Sequence, residues 1–455
     1  MPGLAVVSGA RVVLADGVRD LDIVMEDGRI AALAGDAGEV AGERLDAAGK
    51  VVLPGGVDIH THLREPSKAQ REGFGPGTAA AVAGGITTVG EMPQADPLVK
   101  DLESLAVKRE LAERASICDF ALYSAAAGQS LEELTALQEH GVRAFKAYMC
   151  ASSPGYPKLD DAPLLEALER LAELDALLIV HAENDSLLQA GLARMAAAGR
   201  TDPLAHAESR PPLVEIEAIA RVVRFATHTG TRLHVAHVST PEGAEIVREA
   251  KAAGARVTCE TCPQYLLLDH DDLSRLGAWA RCAPAIRARA DVERLWEYVL
   301  DGTIDSLGSD HSPYTREEKQ AAAGDIFKAP LGINIIQAML PAVRDEAVNR
   351  RGMSLERFAQ LSATRPAQII GLHPAKGEIA VGADADLAVW DLDETWEVRA
   401  EDLFSRHPWT ALEGARIRGR VTHTIRRGEV VFADGAVRAQ GGGRFLPAGA
   451  AAVAA

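Results

Sequence analysis

The feature that most restricts the fold of this chain is an alternation of short apolar runs with amphipathic, Ala/Leu/Glu-rich stretches from Leu53 to Leu372. Phe120–Tyr123, Val142–Met149, Leu177–His181, Arg232–His237, Arg256–Cys259 and Ile304–Ser309 read as strands. Between them, Leu131–His140, Ala162–Leu174, Glu215–Thr229 and Pro241–Ala253 carry helical periodicity. Strands separated by helices pair in parallel, because the crossover returns the chain to the same end of the sheet. The number of such units predicts an α/β fold of the (β/α)8 TIM-barrel type rather than a doubly wound sheet.

The two ends of the chain have a different texture. Ala10–Leu14, Asp22–Glu26 and Arg29–Leu33 alternate apolar and polar residues, with Asp27-Gly28 as a hairpin turn. The same style returns in Ala385–Trp390, Val421–Arg426 and Val430–Phe432, the last two bracketing the turn Arg427-Gly428-Glu429. These segments predict one small β-sandwich domain assembled from both termini, residues 1–52 with 375–440, around a barrel at 53–374. A length of 455 residues suits a barrel of about 250 residues or more plus a smaller companion. Residues 441–455 are Gly/Ala-rich and read as a flexible tail.

Charge and cysteine usage exclude several classes of function. Lys+Arg 48 against Asp+Glu 65 leaves −17, and an acidic surface repels nucleic-acid phosphates. No run of about 18 apolar residues offers a membrane span. Met1–Ala10 lacks the basic start and apolar core of a secretion signal. Five cysteines are odd in number and too sparse for a disulfide framework, so the chain reads as a cytoplasmic, soluble protein. Cys259 and Cys262 form one Cys-x2-Cys pair, but a zinc ribbon needs two, so both read as structural. Gly84-Gly85 is not a phosphate loop, since no Gly-Lys-Ser/Thr follows.

In a barrel, reactive groups sit where strands end. Five candidate strands end in residues foreign to an apolar run. In Val57-Asp-Ile-His60-Thr-His62, two imidazoles two residues apart share a face and can converge on one ion, although two solvent-facing edge histidines would give the same pattern. Lys146 shares the parity of Val142 and Ala144, which places an ammonium among small apolar groups. A nearby carboxylate, a depressed pKa for covalent or base chemistry, or conversion by CO2 to an anionic carbamate would each resolve that cost. His181 ends Leu177-Leu-Ile-Val-His181, and His237 ends a strand in which Leu233, Val235 and His237 share a face and His234 points away. A lone strand-end histidine can equally be a satisfied core imidazole. Asp310 follows Gly308 in parity at a loop entrance, where an aspartate before Ser-Pro also serves as a turn residue.

Taken together, four histidines, a lysine and an aspartate occupy five strand ends in a chain with 13 histidines. Neutral imidazoles and hard oxygen anions suit two Zn2+-like ions. An ammonium between two divalent cations would be repelled, and carbamylation of Lys146 removes that conflict.

These residues resemble the cyclic amidohydrolases: dihydroorotase, allantoinase, hydantoinase and dihydropyrimidinase. The resemblance runs from Gly9 to about Gly443 and includes Leu53-Pro-Gly-Gly-Val-Asp-Ile-His-Thr-His62, Phe145-Lys-Ala-Tyr, His181-Ala-Glu-Asn, His237-Val-Ser-Thr, Glu260-Thr-Cys-Pro and Ser309-Asp-His-Ser-Pro313. It implies His60, His62 and Asp310 on one divalent metal, His181 and His237 on a second, and carbamylated Lys146 bridging the two. Asp310 would take the proton of the attacking water and return it to the departing ring nitrogen. The product would be a ureido or N-carbamoyl acid. A homodimer or homotetramer is also implied.

Within the family, Glu72-Gly-Phe-Gly-Pro-Gly-Thr, Gly85-Ile-Thr-Thr and Glu260-Thr-Cys-Pro-Gln-Tyr look most like allantoinase, which implies opening of allantoin to allantoate. Leu63-Arg64-Glu-Pro and Ala329-Pro-Leu-Gly-Ile333 look more like dihydroorotase, whose arginine grips a substrate carboxylate. Hydantoinases and dihydropyrimidinases carry a tyrosine five residues after the lysine; here that position is Ala151. Gln94 stands near the place of a substrate-contacting Asn, Gln264 replaces a His, Tyr314 replaces the final His of an Asp-His-Ala-Pro-His run, and Ala285 replaces a proline. Arg64, Gln94 and Arg287 are therefore the expected substrate contacts, with another cyclic ureide or imide as the alternative substrate. A barrel that had become a non-catalytic scaffold would have lost ligands, and all six are present.

Overall fold

A computed structural model describes residues 4–151, 155–322 and 324–449. Eight short parallel strands form the barrel: Gly56–Thr61, Ile86–Glu91, Asp119–Leu122 with Ser124–Ala125, Phe145–Tyr148, Leu177–His181, Arg232–Val235, Val257–Thr261 and Ser306–Leu307. Their pairing is parallel throughout, as in Lys146 against Ile179 and Val235 against Cys259. The ring closes where His62 N–H donates to the His311 carbonyl at 2.9 Å and Ser309 N–H donates to the Asp58 carboxylate at 3.1 Å. Helices such as Pro212–Thr229 and Pro241–Ala252 cover the outside. The latter starts on a Thr240 side-chain cap followed by proline, and the former ends on Gly230 at φ 76°, where a β-carbon would be strained. None of the helices among the described residues is long and apolar enough to cross a membrane.

The strands of both chain ends join in one nine-stranded sheet that folds into a small β-sandwich. The joining seam is non-local: Val51–Pro54 pairs antiparallel with Leu387–Glu397, with Val52 opposite Val389. Val7, Val12, Ile23, Val52, Leu387 and Ile425 share the sandwich core. Asp27-Gly28 and Arg427-Gly428 are both turned by two consecutive positive-φ residues, the geometry that matches strand twist in a two-residue hairpin.

A buried ionic cluster ties the sandwich to the barrel. Lys376 Nζ lies 2.6 Å from Asp119 on the third barrel strand, 2.7 Å from Asp386 and 2.9 Å from Asp384, and Arg427 pairs with Asp119. Removing the one ammonium leaves three carboxylates facing each other with a single guanidinium. Lys376→Met should destabilise the protein by about 3–5 kcal/mol, the cost of orphaning buried partners. A thermal melt reads this directly, and an unchanged Tm would show that the cluster contributes nothing.

The expected flexible tail is corrected for residues 441–449; residues 450–455 lie outside the described residues. Phe120 N–H donates to the Arg444 carbonyl at 2.9 Å and Leu446 N–H donates to the Phe120 carbonyl at 2.8 Å. The Phe445 ring sits 5.8 Å from that of Phe120, and Arg143 donates to the carbonyls of Leu446 and Pro447. Gly443 permits this approach, since a β-carbon there would fall 1.9 Å from the Cys118 carbonyl oxygen. Composition misled because two apolar side chains and a few backbone bonds suffice to dock a segment.

Candidate active site

The C-terminal ends of the barrel strands open into a cavity of about 380 Å3. His60, His62, His181, His237 and Asp310 all line it. The ring centroids of His60 and His62 are 5.3 Å apart, those of His60 and His237 5.4 Å, and those of His181 and His237 4.6 Å. Asp310 Oδ1 lies 3.2 Å from His62 Nε2 and 3.4 Å from His60 Nε2. One donor atom from each of His60, His62 and Asp310 lies within 4.8 Å of the others, a set able to hold one divalent ion.

Carboxylates behind the imidazoles fix which nitrogen faces the cavity. Glu260, on the strand Val257–Thr261, takes the His60 Nδ1 hydrogen and leaves Nε2 toward Asp310. Its other oxygen lies 3.3 Å from His234 Nε2, so His234 belongs to the packing behind the site. Gly308 allows the carboxylate to pass, because a β-carbon there would fall 2.5 Å from Glu260 Oε2. Glu183 lies 2.8 Å from His181 Nε2 and is also paired with Arg210, which leaves His181 Nδ1 toward the cavity. Cys150, His181 and Glu183 also cluster, but that carboxylate is already engaged by Arg210. Arg64, His237 and Asp310 all have positive φ, at 72°, 42° and 46°. Three strained backbones at one rim are held by their surroundings, a pattern that concentrates at functional sites.

Lys146 is completely buried, and its Nζ has no hydrogen-bond partner. The nearby-carboxylate resolution is therefore absent: no carboxylate approaches within salt-bridge distance among the described residues. Burial pushes its pKa down to about 8 against the pull of Glu260 and Asp310. Burial likewise lowers His62 to about 3, and it depresses His181 and His237. Near neutral pH these three imidazoles are uncharged, with lone pairs free to ligate.

Of the expected substrate contacts, Arg64 and Gln94 line the cavity and Arg287 does not. Arg287 is a correction. Its guanidinium is 2% exposed and donates to Ser239 Oγ, the Arg210 carbonyl and the Glu215 carboxylate at 2.6–2.9 Å. It braces the turn after His237, because a buried guanidinium takes the nearest carboxylate, here one contributed by a distant helix. The residues that the sequence reading did not assign are Glu260, Glu183, Tyr148, Lys68 and Arg281. Glu260 carried the signal used elsewhere, a charge inside an apolar strand. Tyr148 stacks on His181 with centroids 5.1 Å apart and stands 5.1 Å from Lys146 Nζ. Cys259 and Cys262 are buried and unpaired, as a structural role requires.

A TIM barrel with strand-end imidazoles, a buried lysine and an aspartate around one cavity defines a barrel hydrolase. The profile of the Amidohydrolase family matches residues 51–431, and the chain belongs to that family. It is 41% identical over 436 residues to an allantoinase of Rubrobacter xylanophilus, covering 95% of each chain. It is 37% identical to an L-hydantoinase of Paenarthrobacter aurescens, covering 97% of each. The solved L-hydantoinase (dihydropyrimidinase) from Arthrobacter aurescens superposes with a TM-score of 0.95 at 36% identity, covering 98% of this chain and 100% of that one. The protein is thus a hydrolase acting on the C–N bonds of cyclic amides.

Proposed function

We propose that this enzyme opens the ring amide of a cyclic ureide, with allantoin, which yields allantoate, among its substrates. Two divalent ions of the zinc type would be held by His60, His62 and Asp310, and by His181 and His237. A CO2-derived carbamate on Lys146 would bridge the two. The observation that carries this reading is the fully buried, partnerless Lys146 Nζ among uncharged imidazoles. Its amine can be unprotonated near pH 8, the form that captures CO2, and the resulting anion balances cations.

When bound, such ions supply Lewis acidity and a water of lowered pKa. The chain supplies the rest. Asp310 Oδ1 accepts the proton of the attacking water as a C–O bond forms at the ring carbonyl carbon. It returns that proton to the ring nitrogen as the C–N bond breaks. Glu260 and Glu183 hold His60 and His181 in one tautomer each, which keeps their ligating nitrogens aimed. The resemblance to the family extends this reading to a homodimer or homotetramer, which light scattering would decide.

The test is hydrolysis of racemic allantoin by metal-free protein to which Zn2+ and bicarbonate are restored. The expected outcome is ring opening that needs both additions, stops on chelation and is missing in Lys146→Ala. Two metal equivalents bound without turnover of allantoin would overturn that substrate. Failure to take up metal would overturn the reading as a whole.

A further inference from the structure

The first and second barrel strands separate at a buried ion pair. Their last residue pair is Thr61 opposite Glu91, after which the Met92 N–H donates to the Thr61 carbonyl at 2.9 Å. A parallel ladder would continue with the Leu63 N–H donating to the Met92 carbonyl. Both groups are taken by side chains instead. The Leu63 N–H donates to the Glu91 carboxylate, at 2.9 Å from one oxygen and 3.1 Å from the other. The Met92 carbonyl accepts from Lys108 Nζ at 2.6 Å, and that ammonium stands 2.9 Å from Glu91 Oε1. The Thr61 hydroxyl lies 2.9 Å from Glu91 Oε2. Glu91 and Lys108 are both fully buried.

Lys108 reaches this seam from the helix Leu102–Ala115, whose inward side also carries Leu105 and Ala112. Folding stability alone gives no reason for an ammonium there. Burying the two charges costs desolvation that their attraction roughly offsets, and an apolar pair of similar volume is often as stable or more so. What the pair supplies is direction. Its partners are Thr61, which separates His60 from His62, and Leu63, which follows His62. From the other side, the His62 N–H is held by the His311 carbonyl at 2.9 Å. The short segment that carries both imidazoles is thus gripped from each neighbouring strand end, just ahead of the positive φ at Arg64.

We infer that the Glu91–Lys108 pair is a wedge set into the barrel ladder, which splays the first two strands and aims His60 and His62 at their metal. Both are positioning residues: neither lines the cavity, and they act through the backbone that bears the ligands. This rests on the reading of His60 and His62 as metal ligands and deepens it. The carboxylate replaces the ladder acceptor that Leu63 loses, and the ammonium replaces the donor that Met92 loses. A ligand-bearing strand end can then leave the sheet without orphaning a buried backbone group.

The test is the double variant Glu91→Gln/Lys108→Met beside its two single variants. Each single change strands a buried charge and should lower Tm, whereas the double change removes both charges and should bring Tm back near the wild-type value. Zn2+ affinity, measured by competition with a chromophoric chelator after bicarbonate is supplied, should not come back with it. The equivalent assigned to His60, His62 and Asp310 should bind about 10- to 100-fold more weakly in the double variant, the range for losing support behind a ligand. The equivalent assigned to His181 and His237 should change less. Hydrogen exchange of the metal-free proteins gives a readout independent of metal: the peptide spanning Thr61–Arg64 should exchange faster in the double variant, with Leu177–His181 unchanged. Recovery of Zn2+ affinity together with Tm would show that the pair only stabilises the fold, and it overturns the wedge. If the wild-type protein takes up no metal, the metal reading fails, and exchange decides: local loosening at Thr61–Arg64 supports the wedge and unchanged exchange overturns it. If the double variant does not fold, Thr61→Val decides in its place. It removes one hydroxyl from the carboxylate and should weaken Zn2+ binding about threefold to tenfold, the scale of one hydrogen bond, and wild-type affinity in it overturns the wedge.

Discussion

Lys146→Met is expected to abolish ring opening while making the metal-free protein more stable. The two effects have one cause. Nζ is buried without a partner, so in the absence of metal and CO2 the ammonium pays its desolvation cost and recovers none of it. Methionine fills a similar volume with no charge to desolvate. A gain of about 1–3 kcal/mol follows, as for other buried unpaired polar groups. Its pH dependence has a definite sign. The folded pKa, about 8, lies below the unfolded value, so between the two the unfolded chain binds the extra proton. The wild-type penalty is therefore full below pH 8 and fades as pH rises toward about 10.4, the free-lysine value. Paired thermal melts of the metal-free proteins at pH 7 and pH 10 should show the advantage of the variant shrinking. With metal restored, activity should drop by about four orders of magnitude or more, because the bridging anion proposed for this lysine could not form on methionine. A variant that is both less stable without metal and still active would overturn the role given to this lysine.

Asp310→Asn should lower kcat by about 10^3–10^4 with little change in fold, the range for losing a positioned proton carrier. The backbone tolerates the change, since asparagine is among the few residues that accept a positive φ such as the 46° found here. The amide keeps an oxygen near His62 Nε2 but cannot take a proton from water. Metal content should therefore fall less than activity, and KM should move least. Metal analysis alongside steady-state kinetics separates these quantities. A variant with full metal and near-normal kcat would exclude Asp310 as the proton carrier.

The strand-end residues were legible because each one breaks an apolar run where a barrel places its chemistry. His60, His62, His181, His237, Lys146 and Asp310 needed only side-chain parity and a count of strands. Glu260 broke a run in the same manner but sits between two cysteines, which drew the reading toward a Cys-x2-Cys motif. Arg287 was misplaced for another reason. An arginine after a strand can face a ligand or a carboxylate, and its partner Glu215 lies on a helix whose periodicity says nothing about what it meets. Tyr148 was visible only as part of the Phe145-Lys-Ala-Tyr motif, and its stacking on His181 depends on the neighbouring strand. Lys68 and Arg281 sit on loops, where no periodicity exists to place a side chain.

By itself the sequence determined the elements, their order and the residue types available at strand ends. Those follow from alternation, helical period and turn chemistry, which act over a few residues along the chain. The tertiary structure alone decided which charges were spent and which were left over. Arg287 was consumed by Glu215 and Arg71 by Glu318, whereas Lys146, Arg64 and Arg281 kept unpartnered nitrogens. It also decided that the Gly-rich end docks against Phe120. The physical reason is range: a buried charge is settled by whatever lies within a few ångströms in space, and those neighbours come from positions far apart in the chain.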